Sequence, residues 1–164
     1  MTITARLDLV RPFDVLAPTA TVFGVLADVP LSVSHFPQVE RLTEVGAGSG
    51  VYEWQMERVG TEKVKIQTRY ASRYESTFDP AAGRGTVTWV PVAGVGNARV
   101  GGRWDIEPRG TGTHLTLTIR GEIDVPLPAL MTRVVAPLVS REFERLVGRY
   151  IENLRRRFDA SQGG

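Results

Sequence analysis

Residues 143–158 read Phe-Glu-Arg-Leu-Val-Gly-Arg-Tyr-Ile-Glu-Asn-Leu-Arg-Arg-Arg-Phe. Phe143, Leu146, Val147, Tyr150, Ile151, Leu154 and Phe158 recur at steps of three and four, while Arg145, Arg149, Glu152 and Arg156 fall on the opposite side. This is the period of an amphipathic helix. A helix with such a stripe has to bury it, and the stretches upstream that offer an apolar face are strands. The terminal helix is therefore expected to cover the apolar side of a sheet. Pro137 lies just ahead of it, so residues 129–136 are expected to form a separate or kinked segment.

The sheet is legible in the alternation. Ile3, Ala5, Leu7 and Leu9 stand opposite Thr4, Arg6 and Asp8, which is the pattern of a half-buried strand. In the next long run, Val64, Ile66, Thr68, Tyr70, Ser72 and Tyr74 point one way and Lys63, Lys65, Gln67, Arg69 and Arg73 the other. Tyr52, Trp54 and Met56 share a face within a strand over 51–59, preceded by one near 39–46. Val87 and Trp89 mark a short strand at 86–91. Val100, Trp104 and Ile106 mark another at 98–107, and Leu115, Leu117, Ile119, Ile123 and Val125 a last one. One wet and one covered face indicate an antiparallel sheet. Gly101-Gly102 within a strand predicts a bulge or a sharp bend.

Between the first strand and the rest, Ala17-Pro18-Thr19 breaks the alternation. Thr19 is a candidate N-cap for a helix over 20–28, with Val22, Phe23, Val25 and Leu26 on its apolar face. Pro30 can open a second helical turn that Pro37 closes. The fold class is therefore α+β: a first strand, two short helices, a bent antiparallel sheet of about seven strands in all, and a long C-terminal helix. No repeat or low-complexity segment divides the chain, so residues 1–160 form one domain and 161–164 a frayed tail.

Composition narrows the chemistry. The 164 residues suffice for one ordinary domain, and 42% hydrophobic with 23% charged residues is the balance of a globular protein. With no cysteine, disulfides and thiolate chemistry are excluded, and His35 and His114 are too few for a multi-histidine metal site. The formal charge is +2, and the densest basic spot is Arg155-Arg156-Arg157. That spot fits either an anionic partner or a helix end whose dipole favours cations. No wider basic stripe indicates nucleic acid. The N-terminus lacks the apolar run of a signal peptide and no stretch approaches a membrane span, so a cytoplasmic protein is expected.

The order of elements resembles the SRPBCC superfamily, the helix-grip fold of START domains, birch-pollen-allergen-like proteins and polyketide cyclases. Three stretches carry the resemblance: Ala17-Pro18-Thr19-Ala20-Thr21-Val22-Phe23, Gly110-Thr111-Gly112-Thr113-His114-Leu115-Thr116, and the helix over 128–158 with Asn153-Leu154-Arg155. Within the superfamily the chain looks most like the small carbon-monoxide-dehydrogenase subunits of this fold and uncharacterised bacterial relatives. The resemblance implies a cavity between sheet and helix for a lipid, sterol, polyketide or similar guest, and in some members cyclisation or dehydration. These motifs are structural, and a fold does not by itself specify an activity.

A strongly bent sheet closed by one helix leaves a hollow whose lining is also the core. By strand and helix phase, the candidate ligand-binding residues are Tyr52, Trp54, Met56, Ile66, Thr68, Tyr70, Tyr74, Trp89, Trp104 and Tyr150. The aromatic group has two readings: edges that orient a planar or amphipathic guest, or simply the packed core under the helix. His35 joins the candidates either as a hydrogen-bond donor or proton shuttle at the rim, or as a loop histidine bonded to backbone. Met131 joins them within Val125-Pro126-Leu127-Pro128-Ala129-Leu130-Met131, read as an apolar lip or as the start of a packed helix. His114 alternates outward.

No Asp, Glu, Lys or His stands at an inward strand position, and a phenol with a pKa of about 10 is a poor base at neutral pH. No catalytic residue, metal or cofactor is assigned. The leading expectation is non-catalytic binding of a small hydrophobic or amphipathic molecule. Alternatives are an accessory protein docking to a protein or membrane surface through the C-terminal helix, and a cyclase or aromatase using tyrosines or His35.

Overall fold

The first strand, β1 (Ile3–Val15), buries alternate residues from Ile3 to Leu9, as its sequence pattern requires. The computed structural model describes residues 3–60 and 65–160. After β1 come α1 (Thr19–Ala27), α2 (Val29–Val33), β2 (Val39–Glu44), β3 (Val51–Met56), β4 (Val59–Gly60), β5 (Lys65–Ile66) and β6 (Arg69–Asp79). The chain continues through β7 (Arg84–Pro91), β8 (Ala98–Arg109), β9 (Gly112–Val125), a 3-10 turn (Ala129–Met131) and α3 (Thr132–Ala160). Seven strands form one curved antiparallel sheet in the order β1-β9-β8-β7-β6-β3-β2, and β4 and β5 pair separately.

The stripe on α3 is buried as its spacing predicts, with Phe143, Leu146, Val147, Tyr150, Leu154 and Phe158 packed into a single core with the sheet. Arg155 lies over the Phe13 ring at 6.0 Å, and Arg157 sits in the last turn, where the helix dipole favours a cation. The helix runs unbroken through Pro137. Pro137 is in its second turn, so the one backbone bond lost there belongs to the exposed Arg133 carbonyl region, where water can substitute. Only the 3-10 turn stands apart from the helix.

Four further expectations are corrected. The helix after β1 is capped by Pro18, not Thr19. Pro18 is extended (φ −69°, ψ 159°), its carbonyl accepts from the Val22 N–H at 3.1 Å, and Thr19 is the first helical residue. The short α2 is capped by Asp28, whose carboxylate accepts from the Leu31 N–H at 3.2 Å, and it ends at Val33 before reaching Pro37.

The run expected as one strand through Tyr74 is broken at 67–68. Lys65–Ile66 pairs with β4, and the main-sheet strand begins at Arg69 because its partner β3 ends at Met56. Gln67 leaves the ladder to hold the Met56 carbonyl with its side chain at 3.1 Å. Lys63 and Val64 of that expected run lie outside the described residues, as does the tail at 161–164.

Gly101-Gly102 makes no bulge, since the β8–β9 register is continuous from Ala98 to Arg109. Gly102 is instead a point of close approach: a Cβ there would lie 2.4 Å from Cζ2 of Trp89.

Candidate functional site

Two spaces lie between α3 and the concave face of the sheet. The inner one is about 40 Å³, enough for a water molecule and too small for a guest. Trp54, Tyr70, Tyr74, Trp89, Trp104 and Tyr150, six of the aromatic candidates, line it together with Ser32, Phe36 and Phe143. The rings fill the hollow by packing on one another. Trp54 stacks on Tyr70 with centroids 5.5 Å apart, Tyr74 stacks on Trp89 at 5.7 Å, and Phe36 meets Trp54 edge-on at 5.6 Å.

The polar atoms of this lining are mostly paired to one another. Ser32 Oγ and Tyr150 Oη share a hydrogen bond of 2.5 Å, and the Trp54 indole donates to Tyr74 Oη at 3.0 Å. Ser72, fully buried beside them, donates to the Val100 carbonyl at 2.7 Å. Burial pushes the Tyr150 phenol up to about 12, although hydrogen bonds with Ser32 and Trp104 pull the other way. Burial drives Tyr70 and Tyr74 higher still. These phenols are neutral at physiological pH, able to donate or accept hydrogen bonds but not to act as bases.

The outer space is an open groove of about 420 Å³, the size of a small-molecule site. Met56, Ile66, Thr68 and Met131 line it, with Ile123 from β9, Leu127, and Val135, Leu138, Val139, Phe143 and Leu146 from α3. The hairpin of β4 and β5 forms its wall opposite the helix, because Met56 lies at the end of β3 and Ile66 lies on β5. At its edge Leu130 is 95% exposed and Leu138 56% exposed, with Val134 also in water.

Polar groups enter the groove only at Gln38, Glu57, Thr68 and Glu142. Gln38 is the one non-glycine with a left-handed backbone among the described residues (φ 61°), and its carbonyl accepts from the Glu57 N–H at 2.8 Å. Glu142 is paired with Arg145, whose Nη2 approaches Oε1 to 2.5 Å, and this hydrogen bond holds the Glu142 carboxyl below its usual range.

Two candidates line neither space. His35 donates from Nδ1 to the Leu31 carbonyl at 2.9 Å, and its own carbonyl accepts from Asn153 Nδ2 at 2.9 Å. Tyr52 packs edge-on against Tyr74 at 5.7 Å, half-buried, with its phenol pushed up by burial and by Glu44. On the outer face of the sheet, His114 Nδ1 lies 2.6 Å from Asp14 Oδ1. Among the described residues no group of three or more His, Cys, Asp and Glu side chains could hold a metal ion, and no helix is long and apolar enough to cross a membrane.

The expectation of a single hollow is thus corrected to two spaces, and Glu57 and Glu142 place carboxylates beside the outer one. Glu57 carries no signal in the sequence because it follows the end of β3, where strand phase no longer applies. Phe36 and Ser32 come from the α2 segment, whose position against the sheet leaves no periodic mark in the sequence. Phe143 and Leu146 are visible as the helix stripe but not as cavity lining.

A curved antiparallel sheet gripping a C-terminal helix, with two short helices after the first strand, defines a START-type helix-grip protein. The chain belongs to the polyketide cyclase / dehydrase and lipid transport family, whose family model matches residues 6–159. Among solved structures it is similar to a protein from Thermus thermophilus, with 19% identity, TM-score 0.63, and 97% of this chain and 99% of that one covered. The ZhuI aromatase/cyclase from a Streptomyces species is 21% identical, with TM-score 0.58 and coverage of 97% and 99%. A STAR-related lipid transfer protein from Xanthomonas axonopodis is 17% identical, with TM-score 0.64 and coverage of 92% and 85%. At these identities the likeness is one of fold. No functionally curated protein matches the chain in sequence.

Proposed function

We propose that this protein binds a small hydrophobic or amphipathic molecule, taken up in the groove between α3 and the hairpin of β4 and β5. The observation that carries this reading is the groove itself, about 420 Å³ of space whose walls are mostly aliphatic and sulfur-containing side chains. Such a surface is costly to leave in water, and a guest that covers it gains roughly 25 cal/mol per Å² of apolar contact. The few polar groups at its edge would orient an amphipathic guest, with the head beside Gln38 and Glu57 and the apolar body along Leu127, Val135 and Val139. The lipid-transfer and aromatase/cyclase proteins of the same fold support a guest of this class.

Titration with a naphthalene-based fluorophore whose emission rises in apolar surroundings tests the reading. Saturable binding of one fluorophore per chain is expected, with affinity reduced about tenfold by Leu138→Asp, which puts a charge on the groove wall. Absence of saturable binding, or binding indifferent to Leu138→Asp, overturns it. The same protein incubated with a panel of poly-β-ketones tests the cyclase alternative, which turnover above the uncatalysed background would favour.

A further inference from the structure

Phe143 is the one described residue that lines both the inner cavity and the outer groove. Three strands run from one space into the other past it. On β3 Trp54 faces the cavity and Met56 the groove, on the β6 side Tyr70 faces the cavity and Thr68 the groove, and on β9 Ile119 gives way to Ile123. The inward position between Ile119 and Ile123 is Gly121, which contributes no side chain at that level. Phe143 packs at 6.2 Å against Phe36, which in turn meets Tyr150 at 5.1 Å. The two spaces are therefore neighbours separated by aromatic rings.

The cavity side also holds an unused polar group. Tyr70 is 3% exposed, and its hydroxyl has no hydrogen-bond partner among the described residues, although Tyr74 and Tyr150 beside it are both paired. A hydroxyl so deep in the fold is costly to leave without a partner unless water or a guest supplies one.

We infer that Phe143 is a gate between two halves of one ligand space, and that its displacement admits a flat apolar guest carrying one oxygen, which pairs with the Tyr70 hydroxyl. This rests on the groove reading above and goes further in naming the inner end of the path, the residue that closes it and the chemistry of the guest. A flat guest suits walls that are themselves stacked rings. An oxygen on it completes Tyr70, and a guest lacking it leaves that hydroxyl unpaired. Phe143 is suited to move because one side of its ring borders open groove rather than packed core.

All three tryptophans of the chain, Trp54, Trp89 and Trp104, line the inner cavity and none lines the groove, so their indole N–H resonances report entry. The probes are 2-naphthol and naphthalene, followed by two-dimensional nitrogen–proton NMR and calorimetry. The expected result is that 2-naphthol shifts the indole resonances and binds at least fivefold more tightly to Phe143→Ala. Tyr70→Phe should lower its affinity about fivefold while leaving naphthalene unchanged. Should the alanine variant fail to fold, Phe143→Leu opens part of the same passage and the wild-type indole shifts remain decisive. If 2-naphthol saturates the protein while the indoles stay unmoved and only the Met56 and Met131 methyls respond, the gate is refuted and groove binding stands. If neither probe binds any form of the protein, both readings fail together.

Discussion

The ring of Trp89 lies across Gly102, its register partner on the neighbouring strand, so closely that a Cβ at that position would meet Trp89 Cζ2 at 2.4 Å and the Thr118 carbonyl at 2.5 Å. The glycine is what lets a large ring on one strand lie flat over the next. Because one obstacle is backbone, the misfit is not relieved by a rotamer change alone. Gly102→Ala is expected to destabilise the fold by about 2–3 kcal/mol through overpacking. The urea midpoint checks this, and an unchanged midpoint would show that the Trp89 ring is free to move aside.

The bond between Ser32 and Tyr150 ties α2 to α3 across the inner cavity. Tyr150→Phe leaves the Ser32 hydroxyl buried without that partner, and a loss of about 1–2 kcal/mol is expected. For a chain of this length each kcal/mol lowers Tm by about 2–4 °C. The double variant with Ser32→Ala should cost less than the sum of the two single changes, since the pair is removed together. Additive losses measured by thermal unfolding would show that the two hydroxyls are not coupled.

Alkaline titration should separate the four tyrosines of the chain. Folded-state burial raises Tyr150 to about 12 and Tyr70 and Tyr74 further, whereas an unfolded tyrosine ionises at about 10. A phenol raised in this way contributes stability that is complete below about pH 10 and falls as pH climbs from there through its folded value. Stability is therefore expected to be flat up to about pH 10 and to decline above it. Tyrosinate absorbance from Tyr70, Tyr74 and Tyr150 should rise together with unfolding, with Tyr52 the only one able to ionise ahead of it. Early, non-cooperative ionisation of three or four tyrosines would contradict the buried lining.

At the acid end the depressed carboxylates act. A hydrogen bond from Arg99 and another from Thr4 hold Asp124 below the usual range, as Arg145 does Glu142. Such groups stabilise the fold above their unfolded values of about 4, and that contribution is lost as pH falls through the lower folded values. Stability is expected to be level from about pH 5 to 8 and to drop below about pH 4, with a shallower drop in Asp124→Asn. Denaturant unfolding across that range checks the prediction. An equal slope in the variant would remove Arg99 and Asp124, which meet at 3.0 Å, from the account.

The alternation and the helix stripe made the architecture legible, because inward and outward positions repeat about every 2 or 3.6 residues regardless of what lies across from them. Trp54, Tyr70, Trp104 and Tyr150 could be placed on the buried side in this way. The break at 67–68 could not, since the apolar–polar alternation continues through it and only the early end of β3 removes the pairing partner. Likewise Gly101-Gly102 looks like a bulge until the Trp89 ring is seen to occupy the space. His35 has two reasonable roles on paper, and the Leu31 carbonyl at 2.9 Å engages its Nδ1 only because the turn after α2 brings the two together.

What the sequence by itself determined is the order of strands and helices, the face each residue takes and the membership in a helix-grip family, all of which follow from local periodicity and chain order. Only the tertiary structure decided how far α3 stands from the sheet at each point along it. Where the aromatic rings interleave the gap shrinks to about 40 Å³, and where Met56, Ile66 and Met131 face shorter aliphatic side chains it opens to about 420 Å³. That difference arises from how side chains of separate elements fill a shared volume, a property no single stretch of sequence contains.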